Sequence, residues 1–204
     1  MSILGLDLGG TRLKAIWWKT DSHTIIEQTA VDLPNTTLPV FLEAVQSLAS
    51  KRTFSAIGVG IPGTLDKPRE NVVFVPNLSG WGIVPLKKLL QEQYQVPVVL
   101  ENDANLAALA EYQIGAGKGT CGIVLLTLGT GIGGGVVIDG NVLTGAKGGG
   151  AELGHYCIDP NGPPCNCGSN GCLEVYTGRD GIIRRGAEKH PGRANWTPLD
   201  WSNA

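Results

Sequence analysis

The apolar residues at the start of this chain fall in short runs with strand character. Ile3-Leu4-Gly5-Leu6-Asp7 reads as a buried strand, and residues 12–18 alternate well enough to be its returning partner across the turn Leu8-Gly9-Gly10-Thr11. Residues 24–30 read as a third strand. The period then changes. Leu38, Phe41, Leu42, Val45, Leu48 and Ala49 recur at helical spacing, with Thr37 placed to cap and Pro39 tolerable only in the first turn. Residues 55–61 form a short apolar strand ended by Pro62-Gly63, and residues 72–75 a further extended piece before the loop Pro76-Asn77-Leu78-Ser79-Gly80-Trp81. Pro85 opens a helix with Leu86, Leu89 and Leu90 on one face. Residues 96–100 predict a strand and 104–112 a helix, with Asn102 or Asp103 at its cap.

Gly115-Ala116-Gly117-Lys118-Gly119 breaks this order of three strands followed by alternating helix and strand. Beyond it, residues 121–128 and 132–138 form a second apolar strand pair joined by Gly129-Thr130-Gly131. That turn echoes Gly9-Gly10-Thr11, a short internal repeat. The second cycle is not completed. After a loop from His155 to Glu174 there is one helix candidate, residues 179–188, stopped by Pro191-Gly192. The tail has no clear period, and its Trp196 and Trp201 have no obvious partners. The pattern predicts an α/β chain with one strand-helix cycle over residues 1–115 and a second, unfinished one over residues 116–204.

Composition narrows the class. The 204 residues are 42% hydrophobic, enough for a real core, and the formal net charge of −2 gives no reason to expect nucleic acid or an anionic membrane as partner. The start MSILGLDLGG lacks the basic and apolar regions of a signal peptide, and no apolar run is long enough to span a bilayer. A cytoplasmic protein is the expectation. There, five cysteines favour metal binding and free thiols over disulfides.

Three stretches carry candidate chemistry. Each glycine-threonine turn is either a plain hairpin turn or a phosphate cradle, because glycine admits an anion to the backbone amides and threonine adds a hydroxyl donor. Asp7, at a strand end, could hold magnesium. Neither turn is a Walker A loop, for want of a Gly-Lys-Ser/Thr ending. In Glu101-Asn102-Asp103-Ala104-Asn105, an Asp at a helix start is either a cap or a base. The helix dipole is expected to keep it ionised, ready to accept a hydroxyl proton during phosphoryl transfer. The loop from His155 to Glu174 has almost no apolar side chains to shape it, and His155, Cys165, Cys167 and Cys172 make a Cys₃His set suited to closed, tetrahedral zinc. Free thiols are the alternative. Cys121 reads as a core residue, and Cys157 as either a spare thiol or a ligand in place of one of the four.

These pieces together resemble the ROK family (repressor, open reading frame, kinase). The resemblance is carried by Asp7-Leu8-Gly9-Gly10-Thr11 with Lys14, Gly60-Ile61-Pro62-Gly63, Asn77-Leu78-Ser79-Gly80-Trp81, Glu101-Asn102-Asp103-Ala104-Asn105 and Leu128-Gly129-Thr130-Gly131-Ile132-Gly133-Gly134-Gly135. It continues through Gly150-Ala151-Glu152-Leu153-Gly154-His155 and Cys165-Asn166-Cys167-Gly168-Ser169-Asn170-Gly171-Cys172-Leu173-Glu174. It implies an actin-like, ribonuclease H-like fold of two lobes with a zinc loop. It also implies a kinase passing the γ-phosphate of ATP to a hexose hydroxyl, typically O6 of glucose. Asp103 would be the base, and Gly63, Asn77, Asn102, Asp103, Glu152, His155 and Glu174 would contact the sugar. His155 would serve zinc as well. Asp7, Gly9, Gly10, Thr11, Lys14, Thr130 and Gly131 would serve the phosphates and magnesium.

Family kinases run on for roughly a further third of their length, through the adenine side of the second lobe. A catalytically silent sugar-binding remnant is therefore the alternative to an active enzyme. Repressors of the family carry an N-terminal helix-turn-helix, for which a hairpin beginning at Ile3 leaves no room. Other hexoses and amino sugars rival glucose, polyphosphate rivals ATP, and a homodimer is the default assembly.

Overall fold

The computed structural model describes residues 1–75, 78, 80–193, 197 and 199–200. The chain divides into two compact units, Met1–Leu106 with Thr144–Gly150, and Ala107–Leu143 with Ala151–Ala204.

The first unit is built on a five-stranded mixed sheet. Its strands are β1 (Ser2–Leu8), β2 (Arg12–Lys19), β3 (Thr24–Asp32), β4 (Ala56–Ile61) and β7 (Val98–Asn102), in the order β3-β2-β1-β4-β7. The first three are antiparallel neighbours, while β4 and β7 run parallel to β1. The carboxyl ends of β1, β4 and β7 therefore share one edge of the sheet. A small hairpin of β5 (Thr64–Leu65) and β6 (Val72–Phe74) follows β4. The strand β5 carries no alternation that a sequence reading could have caught.

Helix α1 (Leu38–Ala49) buries Phe41, Ala44, Val45 and Leu48, the face that the spacing predicts. Thr37 stands at the cap position but makes no capping bond. Its hydroxyl instead donates to Asn35 Oδ1. Helix α2 (Leu86–Tyr94) buries Leu86 and Leu90, and ends at Gln95 in a left-handed conformation. These residues join Leu4, Leu6, Leu8, Leu13, Trp17, Ile57, Val59, Ile61 and Leu100 in one core. Trp81 closes it near Phe41, with ring centroids 5.5 Å apart, and donates its indole N–H to Thr36 O at 2.6 Å. Strand β7 runs two residues past its expected end, which makes Asn102 its last residue. Helix α3 (Asp103–Ile114) starts directly from it.

The second unit holds the antiparallel sheet β10-β9-β8, formed by β8 (Gly122–Leu128), β9 (Ile132–Ile138) and β10 (Asn141–Val142). Val137 is buried, whereas Val124, Leu126, Leu128 and Ile138 are exposed, so one face of the sheet is apolar and uncovered. Cys121 lies just before β8 and is exposed, contrary to its expected place in the core. The fold turns there, and its carbonyl accepts the Asp139 N–H at 2.8 Å. A single 3₁₀ turn covers Leu153–His155, followed by α4 (Leu173–Thr177) and α5 (Arg179–Lys189). Among the described residues no helix is long and apolar enough to cross a membrane. Trp196 and Trp201 lie outside the described residues.

Candidate functional site

In the first unit, parallel pairing sets the candidate residues side by side. Asp7 is opposite Gly60, Gly60 opposite Glu101, and Ile61 opposite Asn102. Asp7, the turn after β4 and the start of α3 are thus brought to one place at the carboxyl edge of the sheet. Loops at such an edge are where open α/β sheets bind ligands.

Asn102 organises this corner. Its Oδ1 accepts the Asn105 N–H at 3.1 Å, so Asn102 caps α3, and its Nδ2 donates to Gly63 O at 3.1 Å. Gly63 has no room for a side chain, since a Cβ there would meet Phe74 O and Val75. Asp103 is released from capping the helix. Its Oδ1 accepts the N–H of the next residue, Ala104, at 2.9 Å. Asp103 remains open to solvent, yet burial of its carboxyl and, secondarily, the charge of Asp7 push it above the usual carboxylate range. The dipole expected to favour its ionised form is outweighed. The result is a more basic carboxylate that a substrate can still reach.

Asp7 sits opposite Lys14 in the hairpin, and the lysine ammonium donates to its Oδ2 at 3.0 Å. The turn between them is closed by Gly9 N–H donating to Arg12 O at 2.8 Å, and Gly10 has open space around its Cα. Thr11 O accepts from Leu33 N–H. A carboxylate and a hydroxyl at a glycine turn are a donor set that fits a magnesium-bound phosphate. Asn77 lies outside the described residues.

Sequence reasoning passed over two residues here. Glu101 and Arg69 form an ion pair at 2.9 Å, each side chain only 14% exposed. Glu101 stood inside a recognisable motif without a role. Nothing in the stretch around Arg69 signals that its side chain turns inward.

The second unit carries the other candidates. Glu174, in the first turn of α4, accepts the Ile132 N–H at 2.9 Å. Its carboxylate lies directly against Gly131, where any Cβ would collide with it. The turn Gly129-Thr130-Gly131 is held on its other side by Arg179 N–H donating to Gly129 O at 3.1 Å. Glu174, expected on the sugar side, is thereby joined to the second glycine turn. Glu152 directly precedes the 3₁₀ turn that ends at His155, and its carbonyl accepts the His155 N–H at 3.0 Å.

His155, Cys165, Cys167 and Cys172 come together, their ligand atoms all within 4.8 Å of one another. Cys165 Sγ lies 3.5 Å from His155 Nδ1, and Cys167 Sγ lies 3.6 Å from Cys172 Sγ. Tetrahedral zinc with bonds of about 2.3 Å sets sulfurs about 3.7 Å apart, so the cluster fits such an ion. Nδ1 faces the cysteines, which leaves Nε2 of the same ring for another partner. Cys157 is exposed and outside the cluster. Backbone bonds brace the loop, including Cys165 N–H to Ser169 O and Gly171 N–H to Pro163 O, both at 2.8 Å. Burial and the neighbouring thiols push Cys172 up to about 12, while the Ser169 amide draws Cys167 down. Sulfurs packed this closely resist shared ionisation unless a cation compensates them.

Comparison with known proteins gives this geometry a setting. The model of the ROK family matches residues 3–195. A glucokinase of Thermotoga maritima is 40% identical over 201 residues, covering 93% of this chain and 62% of its own length. The xylose repressor of Bacillus subtilis is 33% identical over 189 residues, covering 89% of this chain and 49% of its own length. Among solved structures, a ROK family glucokinase from Streptomyces griseus, in complex with glucose and AMPPNP, superposes with a TM-score of 0.79 at 35% identity. That match covers 96% of this chain and 64% of the other. The chain therefore spans about three fifths of the length of these glucokinase relatives. The motifs, the mixed α/β fold and the extent of these matches agree: the chain belongs to the ROK family.

Proposed function

We propose that the chain is the sugar-binding and catalytic part of an actin-like, ATP-dependent hexose kinase, with O6 of glucose as the acceptor and Asp103 as the base. The observation that carries this reading is the corner at the carboxyl ends of β1, β4 and β7. There Asn102 takes over the capping of α3 and Asp103 is left accessible with a raised proton affinity. Asp103 would accept the proton of the attacking hydroxyl as its oxygen bonds to the γ-phosphorus. The bond from that phosphorus to the bridging oxygen breaks, and ADP leaves with the electron pair.

Gly63, Asn77, Asn102, Glu152, His155 and Glu174 are the proposed sugar contacts. Gly9, Gly10, Thr11, Lys14, Thr130 and Gly131 are the proposed phosphate contacts. Asp7 would hold magnesium, which offsets phosphate charge. His155, Cys165, Cys167 and Cys172 would hold structural zinc, which supplies a rigid cross-link where apolar packing is sparse. With every position filled by protein, such a site activates no water.

Calorimetry with glucose and with an ATP analogue, alongside a coupled turnover assay, tests this reading. Binding of both and turnover support it, and absence of glucose binding by metal-loaded protein refutes it. A second reading stands beside it. On that reading the chain is a silent sugar-binding remnant, and glucose binding without nucleotide binding is its signature. Repressor relatives supply a third reading, which sugar-dependent DNA binding would reveal.

A further inference from the structure

Arg69 joins three parts of the first unit through one side chain. Its Nε donates to Glu101 Oε2 at 2.9 Å, and its Nη1 donates to Gly148 O at 2.7 Å and to Asp66 O at 3.3 Å. The other carboxylate oxygen of Glu101 accepts the Asn102 N–H at 2.8 Å and the Asn105 side-chain amide at 3.0 Å. One guanidinium thus reaches the start of α3 through Glu101, and the segment Thr144–Gly150 directly.

The geometry is set in advance. Arg69 sits at φ +58°, a strained setting for a residue with a side chain. Asp66 fixes the turn by accepting from Glu70 N–H, Asn71 N–H and the Asn71 side chain. Gly148, at φ +95°, is buried against Leu65 O and Asp66, where a Cβ would collide. A buried ion pair adds little net stability, because desolvation offsets attraction, and it is better explained by the arrangement it specifies.

We propose that Arg69 is a positioning residue: it fixes Asn102 and Asp103 through Glu101, and holds the Thr144–Gly150 segment by its bond to Gly148. The catalytic meaning of this clamp rests on the sugar-kinase reading, but the clamp itself does not. The charged group acting on Asp103 is Asp7 from β1, with Lys14 of β2 bonded to it, while Glu101 stands two residues before Asp103 in β7. Removing the arginine leaves Glu101 as an uncompensated anion beside Asp103.

Two readouts on the full chain test the clamp without requiring turnover. Limited trypsin digestion reports cutting after exposed Lys147, with Lys88 in α2 as the control for general unfolding. Carbon-13 NMR reports the titration of the Asp103 carboxyl. Arg69→Ala is expected to speed cutting after Lys147 about tenfold, as a buried charged hydrogen bond is lost, with little change at Lys88. It is also expected to move the Asp103 titration upward. Arg69→Lys should match it at Lys147, because one ammonium cannot span the carboxylate and the carbonyl as a fork does. Glu101→Gln should leave Lys147 protected. The Arg69→Ala, Glu101→Gln double variant should keep Lys147 open and return the Asp103 titration towards wild type. Equal acceleration at Lys147 and Lys88, full rescue by Arg69→Lys, or an unmoved Asp103 titration in Arg69→Ala would each overturn the proposal. Failure of the wild type to bind glucose would instead remove the sugar-kinase reading and leave these outcomes standing.

Discussion

Replacing Glu174 by Ala tests how the second glycine turn is held. The Glu174 carboxylate accepts the Ile132 N–H at 2.9 Å in a part-buried setting and fills the space beside Gly131. Truncation leaves that N–H without its charged acceptor, and a stranded donor of this kind costs about 1–3 kcal/mol. The local cost appears as amide exchange at Ile132 faster by about tenfold to a hundredfold. Glu174→Gln keeps an acceptor and loses the charge, so about half of that cost is expected. Gly131→Ala attacks the same contact from the other side, because its Cβ collides with the carboxylate. It should reproduce the Glu174→Ala pattern. The assay is hydrogen exchange by NMR, with Val137, fully buried in β9, as the reference. Selective acceleration at Ile132 is expected. Unchanged exchange at Ile132, or equal acceleration at Val137, would refute the idea that this one carboxylate holds the turn.

Other substitutions probe separate parts. Asp103→Asn should lower turnover by about 10²–10⁴-fold, the usual contribution of a general base, while largely sparing glucose affinity in calorimetry. Because folding raises the Asp103 proton affinity, the folded state binds more protons than the unfolded one between the two pKa values. Wild-type stability is therefore lost as pH rises through that window. At neutral pH Asp103→Asn should melt slightly higher than wild type, an advantage that disappears at acid pH. A lower melting temperature at neutral pH would contradict the sign. Cys167→Ser should abolish stoichiometric zinc, read by elemental analysis, and weaken glucose binding through His155. An unchanged metal content would show the ligand set to be wrong. Trp81→Phe removes the indole donor to Thr36 O and some core volume, and should cost about 1–3 kcal/mol in urea unfolding.

Much of this arrangement is legible in the sequence because it rests on periodicity and special residues. The helical face of Phe41, Val45 and Leu48 predicts which side of α1 is buried. The spacing of Cys165, Cys167 and Cys172 with His155 predicts the cluster that forms. Long-range polar contacts are not legible in the same way. Whether Asn102 or Asp103 caps α3 depends on where β7 ends, and the sequence leaves both open. The bond between Glu174 and Ile132 N–H joins residues far apart in the chain. The inward turn of Arg69 depends on a backbone conformation that no local pattern announces. Cys121 shows the opposite error, since an apolar neighbourhood in sequence does not bury a residue at the mouth of a strand.

The proposed reaction is phosphorylation of a hexose with Asp103 as base. Its most direct measurement is glucose 6-phosphate formation from glucose and ATP by zinc-loaded protein, followed by phosphorus NMR, beside the Asp103→Asn variant. Turnover by the wild type and its loss in the variant, with glucose still bound by both, is the expected result. Wild-type protein that binds glucose and nucleotide yet forms no product, or a variant that turns over at the wild-type rate, would contradict it.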